Sequence, residues 1–192
     1  MPRKDSNLDK ENQNLLCYLY TTGQEWRNFI YHTGPDARGG SKISHTPMNW
    51  KILAVGKPAL TWARDGIEDY LRRSNRYAKV EIEYLRDGPR PQLEERFLKN
   101  SEGSRRIVLD ERGKRLTTSE WHAAVDRWEL AGTKRVTLII GGADGHSQEL
   151  RDAADEVWSL SALTLQHELA LVVLLEQIYR VHTIKKGEPY HR

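Results

Sequence analysis

Cysteine is almost absent from this 192-residue chain, and Cys17 is the only one. A single cysteine excludes a disulfide framework within the chain and any zinc site built from several cysteines. Long apolar runs are missing too, because even the stretch from Leu169 to Leu175 is bounded by Glu168 and Glu176. A membrane helix needs about 18 or more apolar residues, and the N-terminus lacks the ordered regions of a signal peptide. We therefore expect a cytoplasmic protein that does not enter the membrane.

The sequence also lacks the short motifs of several enzyme classes. It has no His-Glu-x-x-His pair, no P-loop and no identifiable serine, histidine and aspartate set. The signals of a metalloprotease, a P-loop NTPase and a hydrolase are therefore missing. No metal site is predicted.

The composition is typical of a soluble globular domain, with 38% hydrophobic and 30% charged residues. There are 30 lysines and arginines against 27 aspartates and glutamates, which gives a formal net charge of +3. This mildly basic balance permits an anionic partner such as RNA but does not require one. The length favours a single domain.

Residues 1–47 differ in composition from residues 48–192. The first part is polar, ends in a stretch rich in glycine and serine, and shows no alternation of strands and helices. Met48 then begins a run, Met48-Asn49-Trp50-Lys51-Ile52-Leu53-Ala54-Val55, that resembles the start of a protein. Two interpretations stay open: residues 1–47 are a disordered extension, or the start codon is assigned too far upstream.

From residue 48 onward, short apolar strands alternate with amphipathic helices, which predicts an α/β fold with a mostly parallel sheet. The predicted strands are Ile52–Val55, Val80–Leu85, Ile107–Leu109, Val136–Ile140 and Val157–Leu160. The predicted helices are Trp62–Leu71, Leu93–Leu98, one that Ser119 caps and Gly132 ends, and His167–Ile184. Ligands of such sheets bind beyond the carboxyl ends of the strands. The segments after the third, fourth and fifth strands are therefore the candidates for a binding site.

Those segments carry a resemblance to a known family. They read Leu109-Asp110-Glu111-Arg112-Gly113-Lys114, then Gly141-Gly142-Ala143-Asp144-Gly145, then Trp158-Ser159-Leu160-Ser161-Ala162-Leu163-Thr164-Leu165-Gln166-His167. The C-terminus adds Glu176-Gln177-Ile178-Tyr179-Arg180 and Gly187-Glu188-Pro189-Tyr190-His191-Arg192. In this order and spacing they closely resemble the ribosomal RNA large subunit methyltransferase H family, from about Met48 to the last residue.

The resemblance implies a SPOUT fold, in which the chain's C-terminal part is threaded into a trefoil knot, an exception among protein folds. It also implies a homodimer with cofactor pockets near the subunit interface. The implied cofactor is S-adenosyl-L-methionine. The implied substrate is a pseudouridine of 23S rRNA in assembled ribosomes, methylated at N3.

The cofactor residues that the resemblance implies are mostly backbone and apolar. They are Leu109, Gly141, Gly142, Leu160, Ser161, Ala162, Leu163, Thr164 and Leu165. Leucine side chains can sandwich an adenine while main-chain groups bond its edge, and glycines let a loop approach a ligand closely. Taken alone, the glycines also fit an ordinary turn after a strand.

The last three residues have side chains that could help to remove the proton from the imide nitrogen N3 of the implied pseudouridine substrate. Tyr190 has an aromatic face, His191 a titratable imidazole and Arg192 a guanidinium. A chain end of this kind is more often frayed, but the resemblance places it in the family's motif. We predict that these three residues are catalytic, with His191 as the first candidate for the proton acceptor.

For several further residues, two roles remain open. His167 can contact substrate or cap the last helix, and Arg180 can pair with Glu176 or face RNA. Lys185 and Lys186 can neutralise phosphates or interact with the helix dipole. We predict that three tryptophans belong to the core: Trp121, Trp128 and Trp158. We predict that four arginines lie on the solvated surface: Arg72, Arg73, Arg105 and Arg106.

One departure from the family pattern concerns RNA binding. The family commonly has an arginine soon after the helix-opening histidine, where this chain has Leu171. If that arginine contacts substrate, another cation must replace it here. The alternatives are a SPOUT methyltransferase that acts on tRNA and a non-catalytic module that binds RNA or ribosomes.

Overall fold

The computed structural model describes residues 48–191, and of His191 only the backbone. The predictions for residues 1–47, for Arg192 and for the side chain of His191 lie outside the described residues. None of the helices described is long and apolar enough to cross a membrane.

Five parallel strands form one sheet with the order β2-β1-β4-β3-β5. The strands are β1 (Asn49–Val55), β2 (Val80–Leu85), β3 (Arg105–Arg115), β4 (Arg135–Ile140) and β5 (Glu156–Ser159). The helices are α1 (Thr61–Ser74), α2 (Arg90–Asn100), α3 (Thr118–Leu130), α4 (Gln148–Asp152) and α5 (His167–Lys185), followed by a 3₁₀ turn at Pro189–His191. The α/β prediction is confirmed, and the knot stays a prediction.

The central strand β4 is buried from Val136 to Ile140 because helices cover both faces of the sheet. At the edge of the sheet, β2 has the bounds that its alternating pattern predicts, with Val80 buried and Glu81 exposed. The strand pattern of the sequence therefore reflects each strand's place in the sheet.

The core on one face of the sheet is rich in tryptophan. Trp128 stacks on Trp158 with ring centroids 5.3 Å apart, and Trp121 lies 4.9 Å from Trp158. All three rings are buried, which confirms their assignment to the core. Trp50 joins them 6.4 Å from Trp128.

The helices α1 and α5 pack closely against each other over this core. Gly66 of α1 faces Val172 of α5 so closely that a Cβ on Gly66 would lie 3.4 Å from Val172 Cγ1. The apolar spacing of the sequence predicts an inner face for α1 that includes Trp62 and Ile67. Ile67 is buried, but Trp62 is 50% exposed, so the prediction is wrong for Trp62.

The third strand runs further than its apolar residues predicted and changes its pairing with β5 along the way. Leu109 and Lys114 both pair with Trp158, so the residues between them bulge out of the ladder. A Cβ on Gly113 would lie only 2.5 Å from the Trp158 carbonyl carbon, so only glycine fits this approach. The bulge projects Asp110 and its neighbours above the sheet edge.

Two features near helix ends differ from prediction. The N-cap of α3 is Thr117, not Ser119: its hydroxyl accepts from Glu120 N and the Glu120 carboxylate accepts from Thr117 N. This is a capping box, and its Thr-x-x-Glu spacing is visible in the sequence. The five-residue helix α4 was missed because it is too short for an apolar period.

Candidate active site

A cavity of about 560 Å³ opens where β3, β4 and β5 end. It brings together three segments that are far apart in sequence, at the sheet edge where ligands of parallel sheets bind. The predicted cofactor residues that line it are Leu109, Gly141, Gly142, Leu160, Ser161, Leu163, Thr164 and Leu165. Ala162 belongs to the same loop and is exposed, but it does not line the cavity.

The loop between β5 and α5 is held in shape by its own serines. Ser159 Oγ donates to Ser161 O over 2.8 Å, and Ser161 Oγ accepts from Leu163 N over 2.9 Å. Gln166 then caps α5, because its side chain accepts from Leu169 N. His167 is therefore not the cap, and it is exposed and lines the cavity.

Glu168 ties the loop after β1 to the start of α5. Its carboxylate accepts from Ala59 N over 3.1 Å and from Leu60 N over 3.0 Å. Burial alone would raise the pKa of Glu168, but these two backbone donors hold that pKa below its ordinary value. The ionised side chain thereby fixes the chain on one side of the cavity mouth.

His146 packs against the glycine that follows β4. A Cβ on Gly141 would lie 2.8 Å from His146 Cε1, so the imidazole occupies the space that a side chain at 141 would need. The ring also contacts Phe97 edge to face, and neither ring nitrogen has a hydrogen-bond partner among the described residues. Burial lowers the pKa of His146, so the ring is neutral at pH 7. The first glycine of the pair is thus required by packing.

A buried ion pair supports the base of the cavity. Arg151 Nη1 lies 3.0 Å from Asp110 Oδ2 and also donates to His146 O over 2.6 Å. Asp110 Oδ1 accepts from Arg112 N. Burial acts to raise the pKa of Asp110, but the Arg112 amide and the Arg151 guanidinium outweigh it and lower that pKa. Sequence reasoning did not assign Arg151, because it lies on the short helix α4 and no motif marks it.

Charged side chains of both signs line the cavity. Glu111 and Asp144 are exposed, and neither carboxylate forms an ion pair or a hydrogen bond with the described residues. The exposed guanidinium of Arg112 lines the same cavity. The two carboxylates oppose the approach of an anionic group, whereas Arg112 favours it.

Tyr190 does not lie on this cavity. The Tyr190 hydroxyl is 3.2 Å from both the Tyr70 hydroxyl and Glu176 Oε1, and its ring packs edge to face on Tyr179. Glu176 is nine residues after His167 on α5, or roughly 14 Å at the rise of an α-helix. Burial, the Tyr70 hydroxyl and the Glu176 charge raise the pKa of Tyr190, so the phenol stays protonated.

Most of the cations singled out in the sequence are engaged elsewhere. Arg180 pairs with Glu176 at 2.5 Å, as the i,i+4 spacing predicted. Lys185 bridges to Asp126 at 2.8 Å and Glu129 at 2.5 Å, so it joins α5 to α3, which neither interpretation anticipated.

The Arg105–Arg106 pair is not simply solvated. Arg105 pairs with Glu156 and covers the Trp128 ring. Arg106 donates to Ser101 Oγ and Ala153 O. In contrast, Arg72 and Arg73 pair with Asp69 near the surface, as expected for helix-face residues.

The unusual Leu171 is 3% exposed and belongs to the hydrophobic core. This position therefore presents no side chain to substrate in the described chain. A cation that contacts RNA must come from elsewhere on the molecule.

Comparison with known proteins identifies the class. A family model described as "Predicted SPOUT methyltransferase" matches residues 48–191, and the chain belongs to this family. The sequence is 48% identical over 145 residues to the ribosomal RNA large subunit methyltransferase H of Thermus thermophilus, covering 76% of this chain and 99% of that protein. It is 41% identical over 155 residues to the protein of the same name from Geobacter metallireducens, covering 75% and 99%.

Among solved structures, the chain is similar to the tRNA (m1G37) methyltransferase of Aquifex aeolicus. The TM-score is 0.44 and the sequence identity is 13%, with 69% of this chain and 70% of that chain covered.

Proposed function

We propose that this protein transfers a methyl group from S-adenosyl-L-methionine to N3 of a pseudouridine in 23S rRNA, acting in the cytoplasm on assembled ribosomes. The observation that carries the proposal is the single cavity formed by the segments after β3, β4 and β5. The relatives named ribosomal RNA large subunit methyltransferase H, which match over almost their whole length, support the choice of substrate.

The cavity suits a nucleoside-containing cofactor. Its volume of about 560 Å³ falls in the usual range for small-molecule sites. Leu109, Leu160 and Leu165 offer apolar contacts, and the backbone of 161–164 offers hydrogen-bonding groups beside them. When bound, the cofactor supplies an electrophilic methyl group on a sulfonium. The protein then has to hold the acceptor nitrogen in line and to accept its proton.

The C-terminal residues are our candidates for handling that proton. Tyr190 keeps its own proton because its pKa is raised, so it can donate a hydrogen bond but cannot act as the base. Imidazole is the side-chain group that ordinarily exchanges a proton nearest to neutral pH, so His191 is the first candidate for the proton acceptor. The Arg192 guanidinium can stabilise a deprotonated base or contact a phosphate.

We further propose that the protein is a homodimer in which one subunit's tail serves the other subunit's cavity. Tyr190 lies along α5 away from its own cavity, which supports this arrangement. Leu60, Trp62 and Leu169 are exposed by 42%, 50% and 36%. The Glu168 bridge to the loop before α1 places these apolar side chains near one another. Such a face favours contact with another protein surface.

Two measurements test the proposed reaction. Calorimetry on the purified protein should detect S-adenosyl-L-methionine binding, and labelled methyl groups should enter assembled ribosomes rather than bulk tRNA. Mass mapping of the product should place the methyl group on one pseudouridine of 23S rRNA. Preferential labelling of tRNA would support the tRNA enzyme, whereas ribosome binding without transfer would support the non-catalytic module.

Removal of Tyr190–Arg192 tests the tail. The truncated protein should bind the cofactor with nearly unchanged affinity, because the cavity lining is intact, and should lose methyl transfer. Full activity of the truncated protein would contradict the catalytic assignment of all three residues.

A further inference from the structure

We propose that two groups of exposed cations, one on each side of the loop that contains Gly141 and Gly142, bind the phosphates of the substrate RNA beside the cavity, so that a base enters it. The first group, the β1–β2 arm, consists of Lys57, Arg86 and Arg90. The second group, the β3 arm, consists of Arg112, Lys114 and Arg115. The inference rests on the proposed function and assigns the contacts by which RNA is held.

These cations differ from most others on the molecule because their side chains form no ion pair or hydrogen bond with any described residue. All of them are exposed. By contrast, Lys51, Arg105 and Lys185 each pair with a carboxylate at 2.8 Å or less. Unpaired exposed cations keep their hydration and counterions, which are released when a phosphate binds.

The β1–β2 arm lies beside the loop that follows β4. Gly56 N donates to Leu85 O, so the chain leaves β1 and β2 together and brings Lys57 next to Arg86. Arg96 donates to Arg86 O over 2.8 Å and fixes the backbone there.

Arg90 approaches the same loop from the start of α2. One turn further along that helix, Glu94 accepts from Ser147 N over 2.7 Å. This bond anchors α2 to the segment after Gly145. The Gly142 position itself abuts the end of β1, because a Cβ there would lie 3.6 Å from Val55 Cγ1.

The β3 arm lies on the other side of the loop that contains Gly141 and Gly142. Arg112 lines the cavity, while Lys114 and Arg115 pair with Trp158 and Ser159 in the ladder with β5. In the sheet β4 lies between β1 and β3, so the loop of Gly141 and Gly142 separates the two arms.

The spacing of the arms and the charges of the cavity lining favour one way of binding. The strands β2 and β3 are three positions apart in the sheet, or about 14 Å. A stacked single strand places roughly four phosphates along that length. Glu111 and Asp144 of the cavity lining oppose the entry of phosphate, whereas Arg112 belongs to the arm that holds phosphate beside the cavity. A strand held at both arms therefore presents an unstacked base to the cavity.

The opposite edge of the sheet supplies matched controls. Arg76 and Lys134 are exposed and unpaired among the described residues, but they precede β2 and β4 at the amino ends of the strands. They carry the same charge at the far side of the fold. Their replacement tests whether loss of charge alone weakens binding.

The experiment compares three double variants of the full chain. These are Arg86→Gln with Arg90→Gln, Lys114→Gln with Arg115→Gln, and the control Arg76→Gln with Lys134→Gln. For each arm variant we expect KM for ribosomes to rise about tenfold or more, with kcat at saturating ribosomes within about twofold. The salt dependence of ribosome binding should fall by about 1.4 in log–log slope for two lost phosphate contacts. The control variant should match the wild type.

Two further readouts separate the possible failures. Calorimetric affinity for S-adenosyl-L-methionine should stay unchanged in all variants, which shows that each is folded. Ribosome co-sedimentation is measured without the cofactor. If the arm variants bind ribosomes as the control does, the proposed RNA contacts are overturned. If the wild type binds ribosomes but methylates none, the proposed reaction fails, while weaker binding of the arm variants would still uphold the two arms.

Discussion

At the scale of single residues, two glycines hold positions where an added side chain would force neighbouring atoms to move, for different reasons. Gly113 is needed because one backbone passes directly against another at Trp158. Gly141 is needed because a buried imidazole occupies the place of its side chain. One glycine supports the sheet, whereas the other shapes the cavity.

Replacing Gly113 by alanine should destabilise the fold by about 3 kcal/mol, because neither backbone segment can move away. For a chain of this size the melting temperature should fall on the order of 10 °C. Gly88→Ala is the matched control, since its Cβ would meet only Arg96 Nη2 at an ordinary 3.7 Å. Equal melting temperatures for the two variants would contradict the close approach at Trp158.

Replacing Gly141 by alanine should weaken S-adenosyl-L-methionine binding about tenfold, because the new methyl group pushes the His146 ring or the loop away. A second change, His146→Ala, opens the space and should restore part of the affinity. Calorimetry on the wild type, both single variants and the double variant gives the coupling between the sites. Additive effects would show that the ring and the glycine do not share this space.

At the scale of secondary-structure elements, a buried hydrogen bond joins the first strand to the last helix. Trp50 Nε1 donates to His182 Nε2 over 3.0 Å, deep in the core. Burial, with the positive charges of Lys185 and Lys186, lowers the pKa of His182 to about 4. The bond requires a neutral imidazole, so β1 and α5 are joined by a group that acid disrupts.

We predict that stability falls as the pH drops from about 6.5 to about 4. Over that range His182 is protonated in the unfolded chain but remains neutral in the folded chain. This difference lowers the free energy of unfolding by up to about 3 kcal/mol. His182→Gln keeps an acceptor for Trp50 but cannot titrate. Urea unfolding at pH 7.5, 6 and 5 should therefore show a shallower decline for this variant. Parallel declines would assign the acid sensitivity to His122 and His146, whose pKa values burial also lowers.

The sequence predicted elements well where local pattern and tertiary environment agree. The strand Val80–Leu85 has its predicted bounds because one side of an edge strand meets solvent. The extension of β3 was not predicted, because Asp110 to Arg115 have no apolar pattern and become a strand only by pairing with β5. Pairing across the sheet is information that local pattern does not hold.

For the candidate site as well, the sequence predicted some of the lining segments but not all of the residues that support them. The loops of Gly142 and Leu160 were found because their motifs follow strands that end at one edge. The Arg151 ion pair was missed, since partners so far apart in sequence leave no spacing to recognise. The side chain of Lys185 was misjudged for the same reason, because its carboxylate partners lie on another helix.

At the scale of the whole molecule, the apolar side chains around the start of α5 bear on assembly. We predict that Trp62→Glu combined with Leu169→Glu converts the proposed homodimer to a monomer near 22.2 kDa, because each subunit would bring two added carboxylates into a symmetric contact. Sedimentation velocity measures this directly.

The control for assembly is Leu130→Glu, which changes a leucine that is 74% exposed at the end of α3. It should sediment as the wild type does. If the Trp62 and Leu169 variant also sediments as the wild type does, these two side chains do not form the contact of the proposed homodimer.

The order of the strands has a consequence for synthesis. The central strand β4 enters between β1 and β3, which are both made before it, and the cavity is completed only by the loop that follows β5. A nascent chain that has emerged as far as Ile140 therefore possesses four neighbouring strands but only part of a binding cleft. If the cavity binds the methyl donor as proposed, binding begins only after the loop that follows β5 has been synthesised, and truncated products of translation should not compete for the donor.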